Sequence, residues 1–198
     1  MAGWNTHKGR AVTLPLDNVD TDQLIPARFM SVPRSEGYGA YLLHDLRRDG
    51  DGTLRKDLAL NRAENASILI AGRNFGCGSS REAAVYALVD AGFKAVLAPG
   101  FGDIFAANAV NNSLLPAQVD PSVIDRLLAL ETAEIVIDLT ARTLTIGDEV
   151  IPFALDDTRR IKLENGWDDI DLTLAEAGRI ATHRARIARE QPWLWPGN

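Results

Sequence analysis

The sequence predicts a single α/β domain with a helical C-terminus, and three observations lead there. Short continuous apolar runs at 66–72, 93–100 and 113–119 have the length and composition of strands buried on both faces. Helical patterns at 80–92 and 101–112 separate them, so the order is β-α-β-α-β, which favours a parallel sheet with right-handed crossovers. The texture then changes to short alternating segments, the mark of antiparallel strands.

Taken in order, GRAVTLPL (9–16) reads as the first strand. LDNVDTDQLIPARF (16–29) is a loop rich in turn formers, with Pro26 placed to open a short helix. YGAYLLHDL (38–46) suits a helix, and RRDGDGTLRKD (47–57) is a charged, glycine-broken surface loop. In 80–92, Ala84 with Leu88 and Val85 with Val89 recur at four-residue spacing, and Gly92 stops the helix. A helix is expected over 121–131, then strands at 133–139, 142–148 and 149–155, with Gly147-Asp148 as a turn. The chain closes with a long helix over 171–190 and the tail QPWLWPGN. No repeat or low-complexity linker divides it, so residues 1–198 form one domain, with the helix and tail occupying about 171–198.

Composition narrows the function. With 46% hydrophobic and 24% charged residues, the 198-residue chain has the makeup of a soluble globular protein with a real core. A net charge of −6 disfavours a general nucleic-acid binder, though not a local basic pocket for a small acid. The single cysteine, Cys77, and three scattered histidines (His7, His44, His183) give no metal-ligand cluster. No apolar stretch is long enough to span a membrane, and MAGWNTHKGR lacks the apolar core of a secretory signal. A cytoplasmic location is therefore expected.

Chemistry concentrates in NFGCGSSREAAVYAL (74–88). On the plain account Ser79 and Glu82 form a capping box, with Gly76 and Gly78 supplying the turn. On the functional account, Gly78 and the glycine-flanked helix start point amide groups at one spot, where the helix dipole favours an anion. Arg81 sits at the wrong end for helix stability, and a planar anion such as a carboxylate would explain its presence. Ser79 then lies in a positive field that lowers the cost of its alkoxide. The phosphate-loop, dinucleotide and G-x-S-x-G patterns all fail in this window. DGDGT (49–53) fails as a calcium loop, because the frame puts Arg47 first and Leu58 last. Cys77 is either a reactive thiol near a helix start or a small buried residue. Upstream, Asp20 and Asp22 precede Arg28 and Arg34, and Gly37 and Gly39 flank Tyr38 in what reads as a mobile binding loop or a surface turn.

DNVDTDQLIPARF, GRNFGCGSSREAAVYAL, GFKAVLAPGFGDIFAANAVNNSLLP and NGWDDIDLTLAEAGRIATH, in that order, resemble the small subunits of 3-isopropylmalate dehydratase and the swivelling C-terminal domain of aconitases. The resemblance covers nearly the whole chain and is weakest over 47–65. It implies a three-layer β/β/α swivelling domain of the aconitase type. It also implies a hydro-lyase that isomerises 2-isopropylmalate to 3-isopropylmalate through isopropylmaleate in leucine biosynthesis. In the family a [4Fe–4S] cluster is held by cysteines of a separate large subunit, and the two subunits form a heterodimer around a small dicarboxylate. Carried over by the same resemblance, Ser79 matches the serine base. Ser80 and Arg81 match carboxylate-binding neighbours. Asp22 matches the acidic residue of the Thr-Asp pair that orders the site, and Arg34 a second carboxylate-binding arginine. The 30–39 loop corresponds to the region that reads the substrate's side chain.

One departure bears on substrate. Many leucine-pathway small subunits have SREHAPWAL where this chain has SREAAVYAL, which leaves open a paralogue acting on another alkylmaleate such as methylmaleate. A stand-alone dicarboxylate-binding module is the competing class, and an intact Ser79 speaks against it. Basic RIATHRARIARE (179–190) reads as a solvated helix face, and Trp193 and Trp195 as either a docking tail or a segment packed on its own domain.

Overall fold

The computed structural model describes residues 2–130 and 132–194. Seven strands form one mixed sheet: β1 (Thr6–Leu14), β2 (Ala66–Ala71), β3 (Ala95–Ala98), β4 (Leu115–Gln118), β5 (Thr132–Asp138), β6 (Thr143–Ile146) and β7 (Glu149–Pro152). Their order is β4-β3-β2-β1-β5-β6-β7. The first four run parallel, and β5, β6 and β7 join antiparallel from the far side of β1. Beyond β7 the chain pairs with β4 at Ala154 and Gln118, so the sheet curls until its two ends meet.

Alternation along the strands sorts side chains into two cores. Val12, Leu14, Leu69, Ala71, Val96 and Ala98 point outward to a helical layer. That layer contains α1 (Thr21–Leu24), α2 (His44–Arg47), α3 (Ala59–Arg62), α4 (Glu82–Asp90) and α5 (Asp103–Asn111). Ala11, Ile68, Ile70, Ala95, Leu97, Leu115 and Ala117 point the other way and meet Ile135, Ile137, Leu144 and Ile151 inside the curl. Helix α6 (Pro121–Leu128) adds Ile124 and Leu127 to this second core, and α7 (Asp157–Asn165) adds Leu163. The parallel strands are covered on both faces and read as unbroken apolar runs, whereas β5 alternates because one face meets solvent. The layering is β/β/α, as the resemblance implied.

Three expectations needed revision. The segment expected to form one helix at 38–46 divides into a 3₁₀ turn, Gly39–Tyr41, and α2, because Leu43 between them adopts a left-handed backbone with φ of 50°. The long C-terminal helix is two, α8 (Asp169–Ala175) and α9 (Ala177–Glu190), broken at Glu176, whose ψ of 8° departs from helical geometry. Helix α7 was not foreseen. The helix expected over 121–131 ends at Leu128, and Glu131 lies outside the described residues, as does Trp195.

Helices α8 and α9 bury no side chain against the body. Their root is fixed by Lys162, itself buried, whose ammonium donates to Asp169 at 2.6 Å and also to Asn111. That pairing holds the Asp169 carboxyl below its ordinary range. Trp193 is 72% exposed, so it does not pack on its own domain. Among the described residues, no helix is long and apolar enough to cross a membrane.

On β1, His7 Nε2 lies 2.8 Å from Ser67 Oγ. Burial first, and then Lys94 nearby, lower the His7 pKa below 6.5. As pH falls through 6.5 the unfolded chain takes up a proton that the folded chain resists, so stability falls with pH until the folded value is reached. Thermal unfolding of the protein and of His7→Gln between pH 7.5 and 5 is expected to show the steeper loss in the histidine form.

Candidate active site

The loops that leave β1, β2 and β3 at their carboxyl ends bind one another through backbone atoms. Asn18 N donates to Arg73 O at 2.8 Å, Gly76 N to Val19 O at 2.7 Å, and Thr21 N to Cys77 O at 3.0 Å. Phe75 N donates to Gly100 O at 3.0 Å, and Gly102 N returns a bond to Phe75 O at 2.9 Å. Such contact leaves no room for side chains. A Cβ on Gly76 would stand 2.2 Å from Cγ of Phe105, and one on Gly102 2.5 Å from Gly76 O. Gly76 also has φ of 71° and Gly78 of 93°, the left-handed region that glycine enters at no steric cost.

This interlocking moves the helix start. Helix α4 begins at Glu82 with Arg81 as its N-cap, so Ser79 does not cap it and the expected Ser79–Glu82 capping box is absent. The cause is the strand-like pairing of Asp20 with Cys77 and the bond from Thr21 Oγ1 to Ser79 O at 2.9 Å, which hold 77–79 out of the helix. The capping box forms instead at α1. There Gln23 N donates to Asp20 Oδ1 at 2.7 Å, and Gln23 Oε1 accepts from Asp20 N at 2.9 Å. With Asp20 occupied, Asp22 in the first turn of α1 forms an ion pair with Arg81.

A cleft of about 220 Å³ opens at this junction. Thr21, Gly78, Ser79 and Arg81 form one side, and Gly102, Asp103, Ile104 and Phe105 the other. Ser79 is exposed, and Arg81 is partly buried, its side chain 22% exposed and held by Asp22. The far wall is the first turn of α5, whose N-cap, Gly102, has no side chain to satisfy the leading amides. The start of α5 and the Arg81 side chain thus line the cleft together with the serine, with Asp103 as the carboxylate in the wall. Such a place favours an anion. A larger concavity of about 680 Å³ along α9 is lined by that helix's own outer face together with Glu176, and is open surface.

The structure brings together Asp22, Gly78, Ser79 and Arg81. Ser80 is exposed and lies outside the cleft wall, and Cys77 is half-buried with its backbone paired to Asp20. Arg34 is elsewhere: its two terminal nitrogens donate to Asp90 at 2.7 and 2.9 Å, and its guanidinium lies 4.3 Å over the ring of Tyr86. Sequence reasoning missed the α5 wall. Its signal was present in FGDIF, where a glycine follows a buried strand and precedes a helix, as in the β2–α4 connection.

The aconitase C-terminal domain family matches residues 1–122. A 3-isopropylmalate dehydratase small subunit from Rhodospirillum centenum is 46% identical over 93% of this chain and 95% of its own length. The chain belongs to the family of 3-isopropylmalate dehydratase small subunits. A family member from Teredinibacter turnerae is 40% identical over 98% of both chains. The crystal structure of a 3-isopropylmalate dehydratase from Methanocaldococcus jannaschii superposes with a TM-score of 0.67 at 26% identity, covering 90% of this chain and 99% of that one.

Within this family member the loop junction tolerates no side chain at Gly76. Gly76→Ala is expected to cost about 2–4 kcal/mol, from the left-handed backbone and the overlap with Phe105. Urea unfolding of the two proteins measures it.

Proposed function

We propose that this chain is the small subunit of a heteromeric hydro-lyase that interconverts 2-isopropylmalate and 3-isopropylmalate through isopropylmaleate. The observation that carries the reading is the convergence of Ser79 and Arg81 on one cleft at the carboxyl ends of the parallel strands, in a chain whose curated relatives bear that name. A binding module needs the arginine but has no use for a serine beside it.

The chain's own residues do not suit an iron–sulfur cluster. The sequence has one cysteine, and among the described residues no three His, Cys, Asp or Glu side chains are grouped as metal ligands. The family resemblance assigns the cluster to a separate large subunit, where it would supply Lewis acidity toward the departing hydroxyl.

This chain's part is proton transfer and charge stabilisation. A carboxylate of the substrate lies against Arg81 and the free amides of the cleft, which orients the adjacent C–H toward Ser79 Oγ. Ser79, as alkoxide, takes that proton, and the negative charge spreads into the neighbouring carboxylate, where Arg81 stands. On rehydration the Ser79 hydroxyl returns the proton to the other carbon. Asp22 acts through Arg81: its ion pair fixes the guanidinium before substrate arrives. The start of α5 and the Arg81 guanidinium lower the cost of the alkoxide, against the opposing carboxylates of Asp22 and Asp103.

Hydration of isopropylmaleate and methylmaleate by this chain, alone and with a cluster-loaded large subunit, tests the reading. Activity is expected in the mixture alone, with isopropylmaleate the better substrate; a methylmaleate preference would reassign the substrate and keep the chemistry. Ser79→Ala in the assembled enzyme is expected to lower kcat by about 10³-fold or more while substrate still binds. Unchanged turnover would remove Ser79 from the mechanism.

A further inference from the structure

The two walls of the Ser79 cleft differ in kind. One carries Ser79 and the Arg81 guanidinium, and the other is the first turn of α5. That turn presents two exposed side chains, Asp103 and Ile104, while Phe105 behind them is buried. Backbone contacts fix its position. Gly102 N donates to Phe75 O at 2.9 Å, and a Cβ on Gly102 would stand 2.5 Å from Gly76 O. The wall cannot withdraw from a bound molecule without undoing the loop junction.

Asp103 stands apart from the other carboxylates of these loops. Asp17 is held by Arg73, Asp20 caps α1, and Asp22 is paired with Arg81. Among the described residues the Asp103 side chain has neither an ion-pair nor a hydrogen-bond partner. An acid in the first turn suits the dipole of α5, which is reason enough for an aspartate in an ordinary helix. Here the same charge weakens a cleft whose other wall attracts anions. A charge that opposes the site's own ligand is the mark of selection against a competitor, since specificity is a difference of affinities.

Ile104 supplies the attractive half. It is 52% exposed, whereas Phe105 is buried, so Ile104 is the apolar side chain of the α5 wall that a ligand reaches. Covering it with an alkyl group removes apolar area from water. Covering it with a carboxylate strips water from the charge and offers no partner in return.

We propose that Asp103 and Ile104 are specificity-determining residues that select the substituent carried by the dicarboxylate. Ile104 receives an alkyl arm, and Asp103 repels an arm that ends in a third carboxylate. This rests on the function proposed above and narrows its substrate class to alkyl-substituted dicarboxylates. The wall acts alongside the 30–39 loop that the resemblance names, not in its place.

Two ligands that differ only in that arm test it: 3-isopropylmalate and 3-carboxymethylmalate, each titrated into the full chain assembled with its cluster-loaded large subunit. The wild-type complex is expected to bind isopropylmalate at least about tenfold tighter. Asp103→Asn is expected to tighten 3-carboxymethylmalate about 5- to 20-fold and isopropylmalate about twofold, because the lost charge faced three carboxylates in one and two in the other. Ile104→Ser is expected to weaken isopropylmalate about 5- to 10-fold and to change the tricarboxylate less than about twofold. Both positions are exposed, so neither change disturbs a core.

Equal gains for the two ligands in Asp103→Asn, or none, would reduce Asp103 to a helix-end acid and overturn the proposal. So would a wild-type complex without a preference for isopropylmalate, or an Ile104→Ser complex that binds it unchanged. Binding needs no turnover. A complex that discriminates in this way yet is inactive on every alkylmaleate therefore rejects the function alone.

Discussion

Three loops leave the carboxyl ends of β1, β2 and β3 and hydrogen-bond to one another through backbone atoms, with Gly76 and Gly102 in direct contact. Backbone groups at this depth need partners, and each loop supplies them to its neighbour. The side chains of the cleft are placed by that lattice. Because Thr21 and Cys77 are bonded, Ser79 is carried past the helix axis into the open. Because Gly102 lies against Gly76, the first turn of α5 faces Ser79 across the cleft. A change at a glycine here moves Ser79 or Arg81 without touching it.

Electrostatics completes what the backbone begins. Exposed charges at helix ends are worth about 0.3–1 kcal/mol, so α4 loses a little stability by holding Arg81 and Asp90 where it does. The 20–39 segment offsets both, and Asp20 is what lets it do so. By taking the capping role at α1, Asp20 leaves Asp22 to face Arg81. Two aspartates two residues apart therefore do unlike work, one local and one across the fold.

Much of this was legible in the sequence, and the exceptions share a cause. The strands were readable because burial on both faces forces unbroken apolar runs, and the β6–β7 turn because Gly147 has φ of 58°. The cleft was readable at Arg81, a cation at the end of a helix that disfavours it, with Ser79 close by in sequence. Helix α7 was hidden because DTRRIKLEN buries little beyond Leu163 and so shows no periodicity, although Asp156 and Gly166 mark both its ends. The apparent capping box at Ser79 was a local pattern overruled by pairing with residues nearly sixty positions earlier. The state of Arg34 could not be read at all, since Asp90 is 56 residues away and spacing carries no sign of it.

Neither core takes a side chain from α8 or α9, while the last residues that complete the sheet and its packing lie in β7 and α7. That order of parts has a meaning for synthesis. The ribosome makes every residue of the two cores before it begins 169–190, a stretch that takes about one to four seconds to add at cellular elongation rates. The arm is thus the last part made and no part of either core, and errors in it leave the sheet intact.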